Sequence, residues 1–111
     1  MITKEDLNFI YFNKDIPHTG VICIGYKIID TKLIEYNQCF CSPGDQFIKK
    51  MAHNIIVGRF NSKTKKNFFV KIKDPTYDNC IDVIKQQLKY FNRFKTEYNP
   101  SWAHQIISDL D

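Results

Sequence analysis

The sequence predicts an α+β domain in which helices pack on one face of a mainly antiparallel sheet. Two observations favour this class. Three segments rich in β-branched and aromatic residues follow one another near the N-terminus with short connections, which is typical of antiparallel strands. Later segments instead repeat apolar residues at helical spacing. The predicted order is β-β-β-α-β-α-α in one domain, 1–111, which is long enough for one hydrophobic core.

The first three predicted strands form a meander. They span Leu7–Asn13, Val21–Ile29 and Leu33–Cys41, and turn-forming residues separate them. Gly25, in the middle of the second strand, indicates a bulge or the close approach of another segment. Alternation along the third strand predicts two faces. One face carries Ile34, Tyr36, Gln38 and Phe40, and the other carries Leu33, Glu35, Asn37, Cys39 and Cys41.

The segment after the third strand carries the signals of a helix start. Ser42 is a favoured N-cap, Pro43 suits the first helical position, and Asp45 stands where a capping carboxylate belongs. Gly58 is a plausible end of this helix. Its predicted buried stripe consists of Ile48, Met51, Ala52, Ile55 and Ile56.

The second half of the chain predicts one further strand and two helices. The strand is Phe68–Lys73, with Phe69 among lysines on one face. A long helix capped by Thr76 or Asp78 is expected to run to about Glu97. A short helix, Trp102–Leu110, follows Ser101 as its cap. The broad aromatic face of the long helix suggests self-association, although burial in the core would also account for it.

Composition excludes several classes of protein. Hydrophobic residues make up 43% of the chain, but no apolar run approaches the length of a membrane helix, so we expect no membrane partner. The N-terminus lacks the pattern of a signal peptide, so a cytoplasmic location is expected, in a host cell if the protein is phage-encoded. Four cysteines without zinc-ligand spacing are expected to be free thiols, with no metal and no cofactor.

No catalytic motif is present in the sequence. It contains no nucleophile elbow, phosphate-binding loop, dinucleotide fingerprint or zinc-protease motif, and we therefore expect no enzyme activity. A Cys–His pair brought together by the fold is the alternative that the sequence leaves open.

Positive charge is concentrated in one part of the chain. The net charge is +4, yet Gln46 to Lys73 holds eight basic residues and no acidic one. Such a block favours an anionic partner. Solubilising surface lysines are the other interpretation.

The start of this block resembles a known motif. The run CSPGDQFIKK from Cys41 to Lys50, followed by Ala52, Ile55-Ile56 and Gly58-Arg59, is similar to the approximate pattern CSPxDxFxKxxGRxIAxGR of small phage-encoded proteins. It resembles in particular the Thoeris anti-defence proteins of phages, which act as sponges for cyclic nucleotide immune signals such as cyclic ADP-ribose isomers. The resemblance covers about 20 of 111 residues. The chain departs from the pattern at Ala52-His53, which replaces the first Gly-Arg.

The resemblance implies a homo-oligomer that binds a small cyclic or ADP-ribose-type nucleotide without turnover. Basic side chains would hold phosphate and aromatic rings would stack on a base. The implied residues are Arg59, Lys49, Lys50, Lys63, Lys65, Lys66, Phe47, Phe60 and Phe69. Two alternatives remain: a small basic nucleic-acid-binding protein, and a phage inhibitor that binds a host defence enzyme.

Overall fold

The structure, a computed structural model, describes residues 1–64 and 66–111. Four strands form one antiparallel sheet in the order β1-β2-β3-β4. The strands and helices, in chain order, are β1 (Asn8–Phe12), β2 (Val21–Ile29), β3 (Leu33–Cys41), α1 (Lys49–Phe60), β4 (Phe68–Lys71), α2 (Tyr77–Phe94) and α3 (His104–Ser108). Short 3₁₀ helices occupy Lys4–Asp6, Thr96–Tyr98 and Ser101–Ala103.

The α+β class and the order of the elements are confirmed. The predicted second and third strands agree with β2 and β3 to the residue, while the first is shorter than expected. The last strand ends at Lys71 rather than Lys73, although Ile72 still donates its N–H to the carbonyl of Lys32 at 3.0 Å. Because β4 pairs only with Leu33–Tyr36, the rest of β3 lies at the edge of the sheet.

The prediction that the helices share one face of the sheet is wrong. Tyr36 of β3 faces a core with Ile84 and Leu88 of α2, and α3 joins the same core. The opposite face of the sheet packs against α1, where Cys39 of β3 meets Ile56. Strand alternation explains this arrangement, because even-numbered residues of β2 and β3 face the core with α2, while odd-numbered residues such as Cys23 and Cys39 face α1.

Gly25 allows α1 to lie close to the sheet. A Cβ atom at this position would lie 2.6 Å from Cγ2 of Ile56 and 3.0 Å from Cε1 of Phe9. The contact with Ile56 is shorter than carbon atoms tolerate and the one with Phe9 is tight, so any larger residue would push α1 away or force these side chains to move. The close approach that the sequence indicated at Gly25 is therefore present.

The predicted start of the first helix is wrong. Ser42 and Asp45 close a turn instead, with an N–H···O bond of 3.1 Å from Asp45 to Ser42 and a side-chain bond of 2.8 Å. The helix begins at Lys49, and its N-cap, Ile48, contributes no side-chain bond. Gly58 lies inside α1, which continues to Phe60.

The buried stripe of α1 is narrower than expected. Ala52 and Ile56 are buried, as predicted, but Ile48, Met51 and Ile55 are exposed. The exposed residues form a second apolar stripe beside the open edge of β3. Together with Cys39 and Phe40, among others, they line a groove of about 380 Å³.

The two C-terminal helices complete the other core. Thr76 caps α2 by accepting a hydrogen bond from the N–H of Asn79 at 3.2 Å, as the sequence suggested. The helix ends at Phe94, and a 3₁₀ turn carries the chain past Glu97. The last predicted helix is divided into a 3₁₀ turn and the short α3. In the part of the chain that the structure describes, no helix is both long and apolar enough to cross a membrane.

Candidate anion-binding site

A group of aromatic and basic side chains lies between β1 and the start of α1. Tyr11 points from β1 towards α1 because odd-numbered positions of this strand face that helix. Its hydroxyl group lies 2.5 Å from Nε2 of His53. The imidazole in turn stacks on Phe9, with ring centroids 3.7 Å apart and planes inclined by 14°.

Two lysine side chains extend over the ring of Tyr11. The Nζ atom of Lys49 lies 5.0 Å from its centroid and that of Lys14 lies 5.3 Å from it. An ammonium group within about 6 Å of an aromatic face is attracted by the ring quadrupole. We call this group, Phe9, Tyr11, Lys14, Lys49 and His53, the Tyr11 cluster.

Lys49 and His53 approach Tyr11 from one helix. They are four residues apart, and side chains at this spacing lie on the same face of a helix. The register of β1 against β2 places Tyr11 opposite Cys23, beneath that face. The site therefore depends on the packing of α1 on the sheet, which Gly25 permits.

The surroundings favour uncharged forms of both hydrogen-bonded rings. Burial, with smaller contributions from Lys4 and Lys49, lowers the pKa of His53 below its usual value. Burial, with a smaller contribution from Cys23, raises the pKa of Tyr11. A neutral imidazole beside a neutral phenol can share one hydrogen bond, and each ring remains half-buried.

Among the residues that the structure describes, no carboxylate lies within 4.0 Å of the lysine ammonium groups of the cluster. The ion pair found across residues 1–64 and 66–111 joins Lys27 to Glu35 on another part of the sheet, with a nitrogen–oxygen distance of 3.4 Å. Lys14 and Lys49 are exposed, so their charge is available to an anion. Cations without an acidic partner, next to hydrogen-bonding groups, are the usual composition of a phosphate site.

A cleft adjoins the cluster. It has a volume of about 510 Å³, within the range of small-molecule sites. Lys14 and Phe47 line it and also contact Tyr11, Phe47 through an edge-on ring contact at 5.8 Å. His18 lines the same cleft. The acidic residue of the lining, Asp45, accepts the hydrogen bond from Ser42 described above.

Two of the residues implied by the motif lie at this site: Lys49 is part of the Tyr11 cluster, and Phe47 lines the adjoining cleft. Lys50, the next residue, is exposed but makes no contact with Tyr11 in the described structure. Arg59 lies ten residues after Lys49 along α1, about 15 Å at the rise of an α-helix. It donates to the backbone carbonyl of Gln38 at the open edge of β3.

The remaining implied residues lie elsewhere. Phe60 is half-buried against the α1 core, and Phe69 is exposed on β4. Lys63 and Lys66 are exposed between α1 and β4, and Lys65 lies outside the described residues. The basic block is therefore divided among separate surfaces.

Sequence reasoning did not identify Phe9, Tyr11, Lys14 or His53 as site residues. One signal in the sequence could have indicated His53: it lies four residues after Lys49, a spacing that places both side chains on one face of a helix. The contact with Tyr11 spans 42 positions of sequence and depends on which face of the sheet α1 covers.

Burial disfavours the thiolate forms of the cysteines. All four are free, and burial, followed by the neighbouring Cys39, raises the pKa of Cys23 to about 12. Burial also raises the pKa of Cys39, Cys41 and Cys80. In the described part of the chain, no three His, Cys, Asp or Glu side chains converge as metal ligands would.

No protein-family model, curated protein or solved structure matches this chain.

Proposed function

We propose that this protein captures a small phosphate-bearing nucleotide and holds it without turnover. The observation that carries the proposal is the Tyr11 cluster, where exposed ammonium groups without a carboxylate partner lie beside stacked aromatic rings. Phosphate oxygens are suitable acceptors for the lysines. The flat rings and the adjoining cleft of about 510 Å³ offer room for a base.

The motif resemblance directs the proposal to one ligand class. Lys49 and Phe47, two motif positions, both contact Tyr11. We therefore propose a cyclic nucleotide or ADP-ribose-type immune signal as ligand and an anti-defence role for its sequestration. Assembly of several copies and a cytoplasmic location in the infected host belong to the same proposal.

The apolar stripe on α1 favours a second candidate function. Ile48, Met51 and Ile55 are exposed along one side of the helix, next to the open edge of β3. An exposed apolar stripe of this kind often marks a protein–protein contact. A host defence enzyme is the partner that an inhibitory function would require.

Native mass spectrometry of the full chain with a panel of cyclic mononucleotides, cyclic dinucleotides and ADP-ribose derivatives tests the proposal. We expect one panel member to be retained in fixed stoichiometry. After denaturation, its mass should be unchanged. Failure to retain any panel member would refute nucleotide capture, and recovery of a chemically altered ligand would refute binding without turnover.

A further inference from the structure

We propose a second binding site, for single-stranded nucleic acid, at the C-terminal end of α2. The site comprises Tyr90, Arg93, Phe94, Lys95 and Tyr98, which we call the aromatic end. This site lies on the side of the sheet that α2 covers, whereas the Tyr11 cluster lies on the side that α1 covers. It is therefore separate from the Tyr11 cluster.

The aromatic end exposes three large rings. Phe94 is 62% exposed, Tyr90 48% and Tyr98 45%, although aromatic side chains of this size usually lie inside a protein. Tyr90 and Phe94 are one helical turn apart, with ring centroids separated by 5.1 Å and planes inclined by 46°. They present neighbouring surfaces on which successive bases can stack.

Two of the exposed rings, Tyr90 and Tyr98, pack against aromatic side chains of the core. Phe91, which is buried, contacts Tyr90 at 5.8 Å and Tyr98 at 5.0 Å between ring centroids. Phe68 of β4 contacts Tyr98 from the sheet at 6.0 Å. Rings held by such contacts lose little freedom when a base stacks on them, which favours binding.

Each outer ring also carries a cation. The guanidinium carbon of Arg93 lies 5.1 Å from the centroid of Phe94, and Nζ of Lys95 lies 5.8 Å from that of Tyr98. Glu97, the acidic residue of this stretch, forms no ion pair with either in the described structure. Stacking rings combined with unpaired cations are the components of sequence-tolerant binding to single strands.

Charge selects nucleic acid rather than a second copy of the chain. In a twofold contact between two aromatic ends, Arg93 and Lys95 of one copy would approach the same residues of the other. A polyanion with planar bases satisfies both the cations and the rings.

The surface continues towards the basic block. Lys66 is exposed and lies two residues before Phe68, whose ring contacts Tyr98. A strand bound at the aromatic end can therefore extend towards Lys66. A surface of this extent can contact several nucleotides, as the short binding sites of single-strand binding proteins do.

Fluorescence anisotropy with labelled oligo-uridylate and oligo-thymidylate of about ten nucleotides tests the site. We expect both to bind the full chain, and binding to weaken as salt rises from about 50 to about 200 mM. Loss of one phosphate contact in Arg93→Ala should reduce the slope of log affinity against log salt by about 0.7. An unchanged slope would contradict a phosphate contact at Arg93.

A matched pair of variants distinguishes binding at the aromatic end from non-specific binding elsewhere on the surface. Phe94→Ala should weaken binding about fivefold or more, since stacking of one base contributes on the order of 1 kcal/mol or above. Tyr77→Ala, at the other end of the same helix, removes a ring that is also 62% exposed and should leave affinity unchanged. Equal effects of both variants, or no oligonucleotide binding, would overturn the proposal. It would also be overturned if Phe94→Ala changed the oligomeric state while leaving oligonucleotide affinity intact, because the surface would then join copies of the chain.

Discussion

Gly25 of β2 lies directly beneath Ile56 of α1, so close that a Cβ atom on the glycine would be 2.6 Å from Cγ2 of the isoleucine. Ile56 is fully buried in the core between the sheet and α1. The same helix carries Lys49 and His53 to Tyr11. Contact between the helix and the sheet at Gly25 therefore fixes the depth at which the candidate site is assembled.

We expect Gly25→Ala to destabilise the fold. The added methyl group has no room, and overpacking of this kind costs on the order of 1–3 kcal/mol in the free energy of unfolding. Chemical denaturation of the two proteins measures the difference. Gly58→Ala is the matched control, because nothing lies within 4 Å of its Cβ position and the residue is inside α1. This control should be neutral or stabilising by up to about 1 kcal/mol. Destabilisation by both substitutions to the same degree would contradict the packing explanation.

The strands could be predicted from the sequence because their signals are local. Val21–Ile29 and Leu33–Cys41 are β-branched and aromatic runs bounded by turns, and β2 and β3 agree with them. The start of α1 could not be predicted, since Ser, Pro, Gly and Asp favour a turn as well as a helix start, and in the structure the Ser42 hydroxyl donates to the Asp45 carboxylate within a turn. The local sequence therefore does not distinguish a turn from a helix cap.

Only some residues of the candidate site could be predicted from the sequence, and the reason differs from that for the start of α1. Lys49 was evident from the concentration of positive charge. Tyr11 and His53 meet across the interface between a strand and a helix, and their contact depends on the register and face of β1. Such long-range relations have no local signature in one sequence.

Lys49→Ala is expected to weaken nucleotide binding about tenfold or more. A hydrogen bond to a charged group contributes roughly 1.5–3 kcal/mol, and the ammonium group of Lys49 is one of two that extend over Tyr11. Calorimetric titration with the ligand found by mass spectrometry measures the loss. Lys50→Ala removes the same charge from the next position and should change affinity by less than about threefold, as a partly screened surface charge does. If Lys50→Ala proved as harmful as Lys49→Ala, net charge rather than the Tyr11 cluster would govern binding.

His53 should make stability depend on pH. Its pKa is lowered in the folded protein, so the unfolded chain binds more protons between the folded value and the ordinary value of about 6.5. The contribution of this residue to stability is therefore present above about pH 6.5 and is lost as the pH falls through that range. Urea denaturation at several pH values should show a smaller pH dependence for His53→Gln than for the unmodified chain. Identical pH profiles would show that His53 does not titrate differently in the folded state.

The same residue should couple acidity to ligand capture. Protonated His53 adds a positive charge beside Lys49, so an anionic ligand favours the protonated form and affinity should rise as the pH falls towards 5.5. A cyclic phosphodiester is the suitable probe, because its own charge does not change in this range. The rise should disappear in His53→Gln. A rise that persisted in the variant would assign the effect to another group.

Arg59 is expected to stabilise the fold rather than to hold the nucleotide. Its guanidinium donates to the carbonyl of Gln38, at the part of β3 that β4 leaves unpaired, and so covers an exposed sheet edge. Arg59→Ala should lower the free energy of unfolding by about 1.5–3 kcal/mol, the usual loss for a hydrogen bond to a charged group. Nucleotide affinity, measured well below the melting temperature, should stay within about threefold because Lys49 is ten residues, or roughly 15 Å, away along α1. Arg59→Lys keeps the charge but loses the planar guanidinium geometry, and it should recover only part of the stability. If Arg59→Ala abolished nucleotide binding while leaving stability unchanged, the motif-based role of Arg59 in phosphate binding would be supported instead.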